Sequence, residues 1–280
     1  MTNGHALVLG GGGVAGIAWT TGLLAGLAGN GHDLTGAELI LGTSAGSAVA
    51  AQLGSGLPLG ELLARQTEPA LQAAEIPADI DFEKFGQDFA AAFTDLSDFD
   101  EVRRRIGKVA LAAETVSEAD RRAAVASRLP SHEWSSRRIV LVAVDAETGE
   151  PRQFDRASGV DLVDAVAASC AVPGIWPPVT IGGRRYVDGG VRSGENADYA
   201  AGFACVTIIA PMGTDSPMPV EKPLAEVIEE LRAGGTGVAV IAPDEASVAA
   251  IGVNSLDPAT RGPAAFAGRA QGAALSPSWT

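Results

Sequence analysis

Short apolar runs without polar alternation punctuate this chain. Ala6-Leu7-Val8-Leu9 and Leu39-Ile40-Leu41 read as strands buried on both faces. Each leads into glycine, at 10–13 and at 42, and then into an apolar, small-residue stretch of helical length, 17–28 and 47–53. Gly29 and Gly31 stop the first helix. Strand, glycine turn and helix, twice in succession, predict parallel strands in an α/β layered fold. Further buried strands are predicted at 138–144, 206–210 and 238–242, with a helix over 223–232 between the last two. A turn at 147–150 leads to a short strand at 152–154, and Gly182-Gly183 predicts a hairpin between Thr180-Ile181 and 184–187. Helices are expected at 59–71 and 162–170, and an Ala-rich closing helix within 257–275.

The pattern changes over 80–130. Charges become dense, glycines scarce, and no strand period appears. Phe82, Phe85, Phe89 and Phe93 fall at helical spacing, a second helix is expected near 101–113, and Ser117 caps a third. This reads as a helical insertion. The phenylalanine stripe reads first as packing, and alternatively as a lid or funnel for an acyl chain. No repeat or linker divides the chain, so one domain over 1–280 is expected, with 237–280 as a C-terminal extension.

Charge narrows the partners. The net charge is −14, and the longest basic run is Arg103-Arg104-Arg105. That excludes nucleic acid and sets repulsion against strongly anionic membranes. Cys170 and Cys205 lie in apolar runs and read as buried free thiols of a reducing compartment, not as a disulfide or metal site. The N-terminus has no basic region followed by an apolar core, and the stretch 14–28 is too short and Gly-rich to span a bilayer. A cytoplasmic protein is expected, at most peripheral at a membrane, with no cofactor and no metal.

Candidate chemistry centres on Gly42-Thr43-Ser44-Ala45-Gly46. A G-x-S-x-G between strand and helix makes a nucleophile elbow. Gly42 and Gly46 remove side chains that would collide across the tight turn, and the helix after Ser44 favours developing negative charge. The alternative is a glycine turn holding a capping serine. Ser44 needs a base and an oxyanion site. His5 starts the first strand, His32 follows the first helix, and His132 lies in a polar stretch, all away from the expected active edge. Asp188 ends a strand before Gly189 and Gly190 and could act as base, although Asp-Gly-Gly is also an ordinary turn. Consecutive Gly11, Gly12 and Gly13, with Gly16 in the helix beyond, could aim N–H groups at one anion. A dinucleotide fingerprint competes for this loop, but no acidic residue ends a second strand at the required distance.

Together these segments resemble one family. Gly11-Gly12-Gly13-Val14-Ala15-Gly16, Gly42-Thr43-Ser44-Ala45-Gly46, Ala168-Ser169-Cys170-Ala171-Val172-Pro173 with Pro177-Pro178, and Asp188-Gly189-Gly190 occur in the order of the patatin-like phospholipases, over about 5–210. The resemblance implies a three-layer α/β/α sandwich around a mainly parallel sheet. It implies metal-free hydrolysis of lipid acyl esters by a Ser-Asp dyad: Ser44 as nucleophile, Asp188 as base, and the loop Gly11 to Gly13 as oxyanion hole, with Gly12 and Gly13 as leading donors. The expected partner is a lipid or small acyl-ester substrate, with transient contact to a membrane surface. An acyltransferase using the same acyl-enzyme and a non-catalytic lipid-binding protein are the alternatives. Similar transacylases carry a histidine where Thr43 stands. The family usually places a basic residue where this chain has Ala15, so a preference for neutral or zwitterionic substrates over anionic lipids is expected. An aspartate of ordinary pKa is a weak base, which would leave much of the rate to the oxyanion contacts.

Overall fold

The computed structural model describes residues 2–78, 82–94, 96–215 and 219–279. Its centre is an eight-stranded mixed sheet of β1 (Thr2–Leu9), β2 (Leu39–Thr43), β3 (Arg138–Asp145), β4 (Pro151–Phe154), β5 (Val179–Ile181), β6 (Arg184–Asp188), β7 (Phe203–Ile209) and β8 (Gly237–Ile241). The order is β5-β6-β3-β2-β1-β7-β8, with β4 on β3. The five strands from β3 to β8 in that order are parallel, while β4, β5 and β6 pair antiparallel.

Helices cover both faces, as the unbroken apolar strands require. Leu7, Leu9, Ile40 and Leu141 face α1 (Gly13–Gly29), α2 (Ala45–Gly54), α3 (Leu59–Thr67) and α7 (Leu162–Ser169). Val8, Leu41, Val142 and Ile208 face a thinner layer. The predicted insertion forms α4 (Phe82–Ala92), α5 (Phe99–Ala112) and α6 (Glu118–Arg128), and these divide between the faces. Ala110 of α5 packs on Val144 and Val187, whereas Val125 of α6 joins the core around α1 and α2. Phe89 packs with Val102 and Ile106 and is joined by Phe93, so this half of the stripe is packing. The side chains of Phe82 and Phe85 lie outside the described residues.

The C-terminal part continues through α8 (Leu224–Ala233), α9 (Glu245–Ile251) and α10 (Arg261–Ala274). α10 lies against α1 at backbone distance: a Cβ on Gly22 would meet Ala265 O at 2.0 Å, and one on Gly268 would meet Trp19 O at 2.2 Å. Glycines on both helices permit that approach and leave α1 almost wholly buried. Two differences from expectation have local causes. α3 stops at Thr67 because Glu68 precedes Pro69 and is held extended (φ −97°, ψ 114°). α9 was not expected from the pattern, and Asp244 caps it by accepting from the Ser247 N–H. No helix among the described residues is long and apolar enough to cross a membrane.

Candidate active site

Strand register brings the three glycine motifs to one edge of the sheet. Leu9 pairs with Gly42, so the glycine loop after β1 stands beside the turn after β2. Thr43 pairs with Val142, and Ala143 pairs with Asp188. β6 runs opposite to β3, so Asp188 reaches this level by running inward from the edge. Gly189 then folds over β3, where a Cβ would lie 2.3 Å from Val142 O and 3.2 Å from Thr43 Cγ2. Only glycine lets the Asp188 turn approach the Ser44 turn this closely.

Ser44 adopts φ 52° and ψ −119°, a strained conformation for a residue with a side chain. A Cβ on Gly42 would stand 2.6 Å from Gly46 O, and one on Gly46 would stand 1.9 Å from Leu9 O. The strain is held by a buried network. Ser44 N–H donates to Ser169 Oγ at 2.9 Å, and that hydroxyl donates to Val142 O at 2.6 Å. Cys170 Sγ approaches Ser44 O at 3.1 Å, and Ser47 Oγ donates to the same carbonyl at 2.6 Å. Asn196, fully buried with φ 54°, donates to Thr43 Oγ1 at 3.1 Å and Gly189 O at 3.2 Å, tying the two turns together.

Asp188 is buried, and its Oδ1 accepts from Gly190 N–H at 2.7 Å. Its Oδ2 makes no well-formed hydrogen bond among the described residues. Burial pushes the carboxyl up to about 6, against the opposing pull of the nearby Ser44 hydroxyl, the Gly190 N–H and the Arg121 charge. That is a better proton acceptor near neutral pH than an ordinary aspartate. Burial also raises Glu195, on the other side of the glycine loop beside Gly10, to about 7.

The glycine loop divides by hydrogen bonding. Gly10 N–H donates to Ile209 O and Gly11 N–H to Gly194 O, both at 2.9 Å. Gly11 is thereby engaged in holding the loop. The Gly12 and Gly13 N–H groups have no acceptor among the described residues. Gly13 has φ +63° and opens α1, so the N-termini of α1 and α2 both bear on Ser44. Gly16 packs where a Cβ would meet Ala45 Cβ at 3.5 Å.

Ser44 lines a small pocket together with Gly13, Arg121, Arg128, Cys170 and Trp176. No histidine lines it. His5 bonds Thr207 Oγ1 at 2.9 Å toward the N-terminal end of β1, away from the Ser44 edge, and His132 bonds Ala126 O at 3.1 Å. Cys170 is buried and Cys205 only half-buried, both as free thiols. The sequence reading missed Asn196 and Arg121. Arg121, Val125 and Arg128 form one buried stripe on α6, and their i, i+4, i+7 spacing was the available signal.

The patatin-like phospholipase family model matches residues 7–201, and the chain belongs to that family. Among solved structures, VipD from Legionella pneumophila aligns at 12% identity and TM-score 0.44, over 97% of this chain and 66% of VipD. The type III effector protein ExoU aligns at 14% identity and TM-score 0.42, over 96% of this chain and 52% of ExoU. The chain thus spans less than two-thirds of VipD and about half of ExoU. No curated protein matches it.

Proposed function

We propose that the chain is a serine acyl hydrolase that cleaves carboxylic ester bonds of lipids. The observation that carries this reading is the strained Ser44 turn with its hydroxyl near the buried Asp188 carboxyl. Ser44 Oγ attacks the ester carbonyl while Asp188 Oδ2 accepts its proton. Carbonyl carbon and Oγ form a bond, and the oxyanion is met by the N–H groups of Gly12 and Gly13. Asp188 returns the proton to the leaving alcohol, giving an acyl-enzyme. Water then attacks with Asp188 again as base, releasing the acid and restoring Ser44. Gly42, Gly46, Gly189 and Gly190 shape the two turns, and Gly11 and Gly16 hold the loop.

A fluorophosphonate probe tests this. The folded protein should take up one label, and Ser44→Ala should take up none; a native protein that stays unlabelled overturns the reading. The pH dependence follows from the raised Asp188 pKa. The base form is required, so kcat/KM on a soluble ester should rise tenfold per pH unit below about 6 and level off above it. Because Glu195 titrates near 7, the limb is to be measured in Glu195→Gln as well. A limb near 6 that persists there belongs to Asp188, and one that disappears belongs to Glu195.

A further inference from the structure

One side-chain amide spans the Ser44 and Asp188 turns. Asn196 is fully buried, and its Nδ2 donates to Thr43 Oγ1 at 3.1 Å, Gly189 O at 3.2 Å and Ser193 O at 2.8 Å. Thr43 immediately precedes Ser44, and Gly189 immediately follows Asp188. Two amide hydrogens serve three acceptors, so one is shared. The neighbours of Asn196 extend the contact. Thr43 Oγ1 donates to Glu195 O at 3.4 Å, and Gly194 O accepts the Gly11 N–H at 2.9 Å. The segment 194–196 therefore touches all three glycine turns at the Ser44 edge.

Arg192 decides which way the amide faces. Its Nη1 donates to Asn196 Oδ1 at 2.8 Å. A flipped amide would set its oxygen against the Gly189 and Ser193 carbonyls and its N–H groups against a cation, so one orientation alone satisfies the site. Arg192 is held in turn by a bidentate pair to Asp198, Nη1 to Oδ1 at 2.9 Å and Nη2 to Oδ2 at 2.7 Å, and its guanidinium carbon lies 4.6 Å from the Tyr199 ring centroid. The other carboxylate that Arg192 feels, Glu221, accepts from Arg103 Nη1 at 2.8 Å. The Arg192 and Asp198 side chains are 22% and 31% exposed. A pair open to solvent to that extent adds little stability by itself. What this pair does specifically is aim one guanidinium nitrogen at both a carboxylate and a buried amide.

We infer that Arg192 is a positioning residue: through the Asn196 amide it fixes the Ser44 turn against the Asp188 turn, and so the reach from the Ser44 hydroxyl to the Asp188 carboxyl. The inference deepens the hydrolase reading and rests on it for the proton transfer being positioned. A part-exposed ion pair thereby governs a buried reaction. Lysine cannot replace the arginine, because an ammonium has no planar fork to hold Asp198 and Asn196 together.

The experiment measures ester turnover in Arg192→Lys. Its kcat should fall about ten- to a hundredfold with KM within about twofold, the scale of a small misplacement of reacting groups. Asn196→Gly keeps the left-handed backbone, removes the amide and should lose a similar factor, with little further loss when Arg192→Lys is added. Lys222→Gln, which breaks the exposed pair with Glu230, is the control and should keep native turnover. Asp188→Asn separates positioning from general loosening. With no base left to place, Arg192→Lys should alter the residual fluorophosphonate labelling rate less than about twofold in that background. A full loss that persists there overturns the inference, and so does native kcat in folded Arg192→Lys. Where Arg192→Lys does not fold, Thr43→Val should lower kcat about tenfold, and Thr43→Ser, which restores the hydroxyl, should recover most of it; equal kcat in the two overturns the inference.

A second readout needs no turnover. By NMR, the Asn196 side-chain amide protons should be protected from solvent exchange in the native protein and exchange at least about tenfold faster in Arg192→Lys. Unprotected native protons, or equal protection in both proteins, overturn the inference. Protection that depends on Arg192 in a protein without esterase activity would sink the hydrolase reading and leave the coupling of the two turns standing.

Discussion

Asp188→Asn is expected to lower ester turnover by about 10⁴-fold or more while making the protein more stable at neutral pH. The two effects have one origin. Asp188 is buried, so the folded protein holds its proton more tightly than the unfolded chain, with a pKa raised from 3.8 to about 6. A carboxyl whose folded pKa is raised costs stability once it ionises. That cost is absent below about 3.8, grows as pH rises toward 6, and is complete above it. The shift corresponds to about 3 kcal/mol at most. Asparagine keeps the shape and the Oδ1 contact to Gly190 N–H but cannot ionise or accept the Ser44 proton. Chemical denaturation at pH 7.5 should therefore show the variant to be the more stable, with the difference closing toward pH 4. Replacing His5, His32 and His132 together by Gln should leave kcat within about tenfold, since none lines the Ser44 pocket. An active Asp188→Asn, or a folded and inactive triple-histidine variant, would return the base to a histidine.

The alternation of apolar runs with glycine turns was enough to place the parallel strands and the Ser44 turn, because both depend on local pattern. Gly42 and Gly46 are legible for the same reason: a tight strand-to-helix turn excludes side chains at those positions whatever surrounds it. Asp188 was legible as a strand-end carboxylate, but the direction of β6 was not, since a hairpin of this length pairs with β3 through contacts remote in sequence. The raised pKa of Asp188 is a product of burial, and no neighbour in sequence announces it. Arg121 shows the opposite difficulty. The segment Glu118–Arg128 is charged enough to read as a solvated helix, yet its buried stripe includes Arg121 and Arg128, and only packing on α7 and the pocket reveals which charges are inside. Asn196 lay in a turn-rich stretch, and its role depends on a left-handed backbone that sequence does not display.

Gly12→Ala is expected to lower kcat by about 10²- to 10³-fold with little change in KM, the effect of losing one oxyanion donor. Gly10 and Gly11 have their N–H groups engaged by Ile209 O and Gly194 O, so the loop is pinned at its start and presents free donors only beyond it. At Gly12 a Cβ would stand 2.8 Å from Pro211 Cβ and 2.9 Å from Gly16 Cα. Neither neighbour is the loose end of a flexible side chain, so the loop must move. A shift of a few tenths of an ångström takes the N–H off the position where the oxyanion forms, while the substrate's ground state, bound mainly by the pocket walls, is little affected. Gly13→Ala is hindered twice over, by φ +63° and by Ser255 O at 2.6 Å, and should lose stability as well as rate. Gly29→Ala is the control, because a Cβ there meets nothing within 4 Å. Turnover and fluorophosphonate labelling rate should fall in parallel for Gly12→Ala, because both pass through a tetrahedral, negatively charged oxygen at the same place. A folded Gly12→Ala with native kcat would remove this N–H from the oxyanion site and leave Gly13 and the N-terminus of α2 to stabilise the charge.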